Sequence, residues 1–175
     1  KNGRKTRDTH MRNIDADGRN GYHRIADHRV NKIQNSKDPI EEKFKKKYLN
    51  LVRNLSGSWK DNLSPDVKLG KAGVENSYQL DHMYSVMDGY NNQISPFLIS
   101  NNKNMDILSW EENKKKGKNS SITIEKLMSI TCYTKAQCDL EYKITREIIM
   151  ETIDENLSSS KLAALIRNRI NESKI

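Results

Sequence analysis

The stretch Tyr78-Gln79-Leu80-Asp81-His82-Met83-Tyr84-Ser85-Val86, followed by Asn104-Met105-Asp106-Ile107-Leu108-Ser109-Trp110-Glu111-Glu112-Asn113, decides how this chain is read. Ser77 to His82 has the pattern of a short strand, and Tyr84-Ser85-Val86 is expected to continue in extended form to a turn at Asp88-Gly89. Asn91-Asn92, Ser95-Pro96 and Asn101-Asn102 mark residues 89–103 as an excursion. A second strand is expected from Asn104 to Leu108, with a helix beginning near Trp110 or Glu111. This strand–strand–helix unit brings polar residues to one end: Asp81 and His82, then Asn104, then Asn113, with Lys116 one helical turn further on.

Outward from this unit, the pattern is helical from Pro39. Glu41 and Glu42 stand in the first turn, where carboxylates suit the helix dipole. Phe44, Tyr48, Leu51, Val52 and Leu55 form one apolar stripe at spacings of three and four. Ser56, Gly57 and Ser58 should stop the helix, with Trp59 and Leu63 packing back on it, and residues 61–76 are turn-rich. The C-terminal third reads as helices: 123–130 after Thr123, a longer one from Thr134 through Ile153 with Leu140, Ile144, Ile148 and Ile149 on one side, and Lys161 to Ile170 capped by Ser158 or Ser159. Two helices joined by a short turn fit either a helix-turn-helix or a packing lid.

Residues 1–38 read as a poorly structured basic arm with Gly3, Gly18 and Gly21. Asn13, Asp15, Asp17 and Gly18 imitate the start of a calcium loop, but Arg24 stands where a bidentate Glu is required, so a turn on Asp17-Gly18 is the expectation. His10, His23 and His28 have no metal-ligand company.

Net charge is +8 over 175 residues, and the excess is local. Residues 1–60 carry 16 Lys/Arg against 7 Asp/Glu, whereas residues 61–175 carry 15 against 16. Such asymmetry fits an arm for a polyanion as well as it fits a soluble lysine-rich tail. Hydrophobic residues at 34% and charged residues at 31% predict a compact centre with thinly packed arms rather than one large core. No apolar run reaches the roughly 20 residues that span a bilayer. The basic start lacks a following hydrophobic segment and is not expected to be a secretory signal, while a first residue of Lys1 leaves a processed or truncated start open. Cys132 and Cys138 lack the partners of a structural zinc site and are expected as idle thiols in a reducing compartment.

The converging residues suit metal-assisted phosphodiester hydrolysis. A neutral imidazole such as His82 can take a proton from water near pH 7. Asp81 and Asn113 offer a carboxylate and an amide oxygen, donors suited to Mg²⁺. Adjacent strand residues point to opposite faces, so Asp81 and His82 share a site only where the strand bends or ends. Asn104, by backbone or side chain, is the candidate to fix the His82 ring. Lys114, Lys115, Lys116 and Lys118 can meet phosphates. The bland alternatives are a capped strand end with a surface histidine and a solvated lysine-rich helix end.

Over residues 78–122 the sequence resembles the His-Asn-His (HNH) endonucleases, particularly the homing type encoded by bacteriophages. The resemblance is carried by Tyr78 to Val86, Asp88-Gly89-Tyr90, Ile94 to Ile99 and Asn104 to Gly117. The third motif position is Asn113 rather than His, and roughly twenty residues separate His82 from Asn104. The resemblance implies an α+β fold with a ββα-metal core over residues 39–122, a basic DNA-contacting arm over 1–38, and a helical C-terminal DNA-binding or packing region over 123–175. It implies a metal-dependent endodeoxyribonuclease acting on double-stranded DNA, as monomer or homodimer, in the cytoplasm of a phage host, with no membrane partner. His82 would be the general base, Asn104 its positioning residue, and Asp81 and Asn113 the ligands of one Mg²⁺ or Mn²⁺. DNA contacts would come from Lys114, Lys115, Lys116 and Lys118 and from Arg4, Lys5, Arg7, Arg12, Arg19 and Arg24 of the arm. Two rivals stand beside it: a non-catalytic nucleic-acid-binding module of the same fold, and a structural phage protein whose arm packs nucleic acid.

Overall fold

The computed structural model describes residues 38–63, 69–71, 74 and 77–173, the side chains of 61 and 62 excepted. The arm residues Arg4, Lys5, Arg7, Arg12, Arg19 and Arg24 lie outside the described residues. The protein is mixed α+β, mostly helical, with a small antiparallel sheet of two strands among the described residues. In chain order the elements are α1 (Pro39–Gly57), a 3₁₀ turn (Ser58–Asn62), β1 (Tyr78–His82), α2 (Val86–Asn91), α3 (Pro96–Ile99), a 3₁₀ turn (Asn102–Asn104), β2 (Met105–Ser109), α4 (Trp110–Lys116), α5 (Ile124–Thr131), α6 (Lys135–Glu151) and α7 (Ser159–Glu172). No helix among the described residues is long and apolar enough to cross a membrane.

The expected stripe on α1 is real: Phe44, Tyr48, Leu51 and Val52 are fully buried. The α-helix ends within Ser56-Gly57-Ser58, as expected. The helix runs through Gly57 and tightens into the 3₁₀ turn, and Ser56 is itself buried. The Tyr84-Ser85-Val86 segment is not extended throughout. The Ser85 hydroxyl accepts from Asp88 N and starts α2, so Asp88-Gly89 lies inside a helix rather than in a turn. Ser95 likewise starts α3, with Pro96 in its first turn. Gly89 is needed there, because a Cβ would stand 2.7 Å from Ile99 Cγ1 and 3.0 Å from the Tyr48 hydroxyl.

β1 and β2 pair from Tyr78↔Ser109 to His82↔Met105, which sets Gln79, Asp81, Asp106 and Leu108 on one face and Leu80, His82, Met105 and Ile107 on the other. Asn104 falls in the 3₁₀ turn before β2 rather than in the strand. A full capping box starts α4: Ser109 Oγ accepts from Glu112 N while the Glu112 carboxylate accepts from Ser109 N. Gly117, at φ +63°, ends it.

The C-terminal helices share the core of α1 instead of standing apart. Tyr142 of α6 packs 6.5 Å from both the Phe44 and the Tyr48 ring, and Leu127, Ile149, Leu162 and Ile166 complete the same cluster. Leu140, expected on the buried side of α6, is 36% exposed, while Cys138, Glu141 and Thr145 are buried. Glu141 is accommodated by three donors: Ser95 Oγ at 2.6 Å, Tyr133 Oη at 2.9 Å and Gln137 Nε2 at 3.2 Å. Burial, reinforced by the Glu141 charge, pushes the Tyr133 hydroxyl pKa well up.

Candidate active site

β1 ends at His82, and the chain bends at Met83 and Tyr84 before α2. Every peptide around this corner is held. Lys116 Nζ donates to the His82 carbonyl at 2.8 Å. Met83 N donates to the Asn104 carbonyl at 2.8 Å, and the Met83 carbonyl accepts from Ser121 N at 2.7 Å. Tyr84 N donates to Asn104 Oδ1 at 2.7 Å, and Asn104 Nδ2 donates to the Tyr84 carbonyl at 3.1 Å and to the Ile99 carbonyl at 2.7 Å. Ser85 N donates to Ser120 Oγ at 2.8 Å. Asn104 is fully buried and acts as a side-chain splint for the bend. It does not reach the imidazole, so the expectation that it fixes the His82 ring is corrected. It fixes the backbone that follows the ring.

The ring is fixed by α1. Ser56 Oγ lies 2.8 Å from His82 Nε2 and donates its one proton to the Val52 carbonyl at 2.8 Å. With the hydroxyl proton on the Val52 carbonyl, Ser56 Oγ accepts from the imidazole, and in that arrangement the ring proton is on Nε2 and the lone pair on Nδ1. Burial lowers the His82 pKa from 6.5 to about 4, with Asp81 opposing the drop and the Lys116 and Arg53 cations adding to it. The ring is neutral at pH 7.

Asp81, on the other face of β1, meets α4. Lys116 Nζ stands 2.5 Å from Asp81 Oδ2, with only 12% and 15% of the two side chains exposed. Asp81 Oδ2 is buried and has no directed hydrogen bond, so charge contact with this ammonium is its compensation. One turn back on α4, Asn113 Nδ2 donates to Gln79 Oε1 at 2.7 Å, while the Asn113 carbonyl accepts from Gly117 N at 2.9 Å. The strand residues Gln79 and Asp81 thus face the helix residues Asn113 and Lys116 in two rungs.

Two open clefts meet at His82. One, of about 370 Å³, is lined by His82, Asn113, Gln79, Ser56, Arg53 and Lys60 among others. The second, of about 180 Å³, is lined by Asp81, His82, Lys116, Lys118 and Arg53 together with apolar residues. His82 shares one cleft with Asn113 and the other with Asp81. The bend lies at Met83 and Tyr84, after His82, so within β1 Asp81 and His82 keep opposite faces, and Asp81 and Asn113 line different clefts. Lys114 lies over the Trp110 ring at 5.2 Å, and Lys114, Lys115 and Lys118 are exposed. Lys116 differs: it is turned inward to Asp81 rather than outward.

Arg53, Ser56 and Lys60 were not legible as site residues. Ser56 and His82 are 26 residues apart, and α1 shows only an apolar stripe and lysines to a reader of the sequence. Arg53 lines both clefts, and no carboxylate among the described residues pairs with it.

The donor set suits a hard cation in one respect, a buried carboxylate oxygen of Asp81 compensated only by a positive charge, while Asn113 lines the other cleft. Among the described residues no three His, Cys, Asp or Glu side chains cluster as a metal group. No family model matches this chain, and neither a curated protein nor a solved structure is significantly similar to it.

Proposed function

We propose that the protein is a metal-dependent endodeoxyribonuclease with a ββα core of the HNH type, in which His82 is the general base. The observation that carries this reading is the 2.8 Å contact between Ser56 Oγ and His82 Nε2, which holds the ring. With Ser56 accepting from Nε2, Nδ1 is free to act as an acceptor, at a corner where Asp81 shares one cleft with the ring and Asn113 the other.

Each side chain then has a task. Nδ1 of His82 accepts the proton of a water beside the scissile phosphate, and Ser56 keeps the ring from turning. Arg53, common to both clefts and without a carboxylate partner among the described residues, neutralises a non-bridging phosphate oxygen. A phosphate anion there also raises the His82 pKa from its low resting value toward neutrality, which strengthens the base when substrate arrives. Asp81 and Asn113 would hold Mg²⁺ or Mn²⁺, which when bound supplies charge neutralisation to the phosphoryl group and the leaving oxygen. Lys114, Lys115 and Lys118 contact flanking phosphates and give salt-dependent, sequence-independent affinity.

The test is nicking of supercoiled plasmid by the full chain with Mg²⁺ and with chelator. His82→Ala and Asp81→Ala should abolish cutting while DNA mobility shifts persist. Arg53→Ala should lower the cutting rate about 100-fold, the scale of losing one charge-stabilising donor. DNA binding equal in all variants with no cutting by the wild type would leave the non-catalytic module of the same fold as the answer.

A further inference from the structure

The smaller cleft beside His82 gathers more positive charge than its one carboxylate neutralises. Arg53, Lys116 and Lys118 line it against Asp81 alone, and with the imidazole neutral at pH 7 the lining carries a net charge of +2. Like charges crowded into one small space repel, so the arrangement gains stability when an anion joins it. Asp81 already pairs with Lys116, and neither Arg53 nor Lys118 has a carboxylate partner among the described residues. Lys116 keeps a donor free, since an ammonium has three, the His82 carbonyl takes one and Asp81 faces another. Leu49, Val86 and Met87 complete much of the lining, and such apolar walls strengthen charge contacts by displacing water.

Size narrows the ligand. The cleft's volume of about 180 Å³ lies below the roughly 300–1,000 Å³ of pockets that take whole small molecules, so it suits one compact anionic group rather than a nucleoside. Charge narrows it further. A backbone phosphodiester carries a single negative charge, whereas a phosphate monoester carries roughly −1.5 to −2 at pH 7. The monoester is the match for a lining of +2.

We propose that the cleft lined by Arg53, Lys116 and Lys118 is a site for a doubly charged phosphate, either that of a phosphorylated strand end or the free ion. The site stands on the cleft's own charge and size, while its place in catalysis rests on the nuclease reading above. In that reaction a water oxygen joins phosphorus and the bond from phosphorus to one sugar oxygen breaks. One water proton goes to the leaving oxygen, and the other is released as the new monoester ionises. The cut end therefore fits the cleft better than the backbone from which it came.

Short single-stranded oligonucleotides with a 5′-phosphate, a 3′-phosphate or hydroxyls at both ends are bound to the full chain in chelator, where metal-dependent cutting does not intervene. Fluorescence anisotropy of an internal dye reads their affinities, and inorganic phosphate is titrated separately by calorimetry. A phosphate at one end should tighten binding about 10-fold, and Arg53→Gln or Lys118→Gln, at exposed positions, should bring that ratio below about 2. Lys115→Gln, an exposed lysine outside the cleft, should weaken all three strands alike. Phosphate binding that depends on Arg53 and Lys118, without a strand-end preference, assigns the site to the free ion. Equal binding of all strands together with no binding of phosphate overturns the site, as does a preference that survives both Arg53→Gln and Lys118→Gln. A wild type that nicks plasmid yet shows neither binding sinks the site alone. One that favours phosphorylated strands and never nicks sinks the nuclease reading alone.

Discussion

Replacing Asn104 by alanine tests whether the corner after β1 is a built element or a passive bend. The side chain is fully buried and makes three hydrogen bonds, to Tyr84 N, the Tyr84 carbonyl and the Ile99 carbonyl. Alanine strands one buried N–H and two buried carbonyls. At roughly 1–3 kcal/mol for the amide and about 1 kcal/mol for each carbonyl, the loss comes to about 4 kcal/mol. With a urea slope of about 2 kcal/mol/M, the unfolding midpoint of the full chain should fall by about 2 M. Circular dichroism in a urea series measures this directly. Asn104→Asp is the control: it keeps an acceptor for Tyr84 N but no donor for either carbonyl, and it buries a charge, so it should be no more stable than alanine. At a temperature where Asn104→Ala remains folded, nicking should still drop by 10-fold or more, because His82 loses the support of the peptides after it. A midpoint shift below about 0.5 M would refute the splint, and an unchanged nicking rate in the folded variant would refute its role in positioning His82.

Three further outcomes follow from the same coordinates. The folded His82 pKa of about 4 lies below its unfolded value of 6.5, so the unfolded chain binds the extra proton first. The stabilisation is therefore complete above pH 6.5 and is lost as pH falls from 6.5 to 4. The shift corresponds to about 3 kcal/mol, and His82→Asn should flatten that part of the stability–pH curve measured by urea titration. Gly89→Ala drives a methyl to within 2.7 Å of Ile99 Cγ1 and should cost about 1–3 kcal/mol, read as a lowered melting temperature; a neutral result would show that α3 yields freely. Cys132 closes α5 in the left-handed region at φ 57°, ψ 29°, so Cys132→Gly should raise stability by about 0.5–1 kcal/mol in the same melt, and a loss of stability would contradict the strain.

What the sequence disclosed, and what it hid, divides along physical lines. β1, β2 and α4 were legible because their signals are local, short apolar–polar runs and turn residues within one strand or one turn, although the Ser109–Glu112 capping box that starts α4 was not read. The helices α2 and α3 were not, because each is shorter than two turns and carries no readable periodicity. Ser85 and Ser95, which start them, look the same in sequence as loop serines. Leu140 and Glu141 exchange the places that hydrophobicity assigns them, since three donors from α3, α6 and the segment before α6 make the carboxylate cheaper to bury than its position suggests. At the candidate site, residue types were legible and partners were not. Asp81, His82 and Asn113 are named by their chemistry, but Ser56, Arg53 and the inward turn of Lys116 exist only once α1 and α4 have closed on opposite faces of β1.

The interlocked rings of Phe44, Tyr48 and Tyr142 set a limit on how the strand–strand–helix unit can be cut out or transplanted. A graft ending at residue 122, the natural boundary if motif alone guided the cut, would strip α6 from α1 and wet two aromatic side chains that are fully buried in the intact chain. Because α1 also carries Ser56, the damage would reach the imidazole through its only ring anchor among the described residues. Any minimal cassette made from this protein must therefore retain α6, and recombination that exchanges the C-terminal third must bring an equivalent of Tyr142 with it.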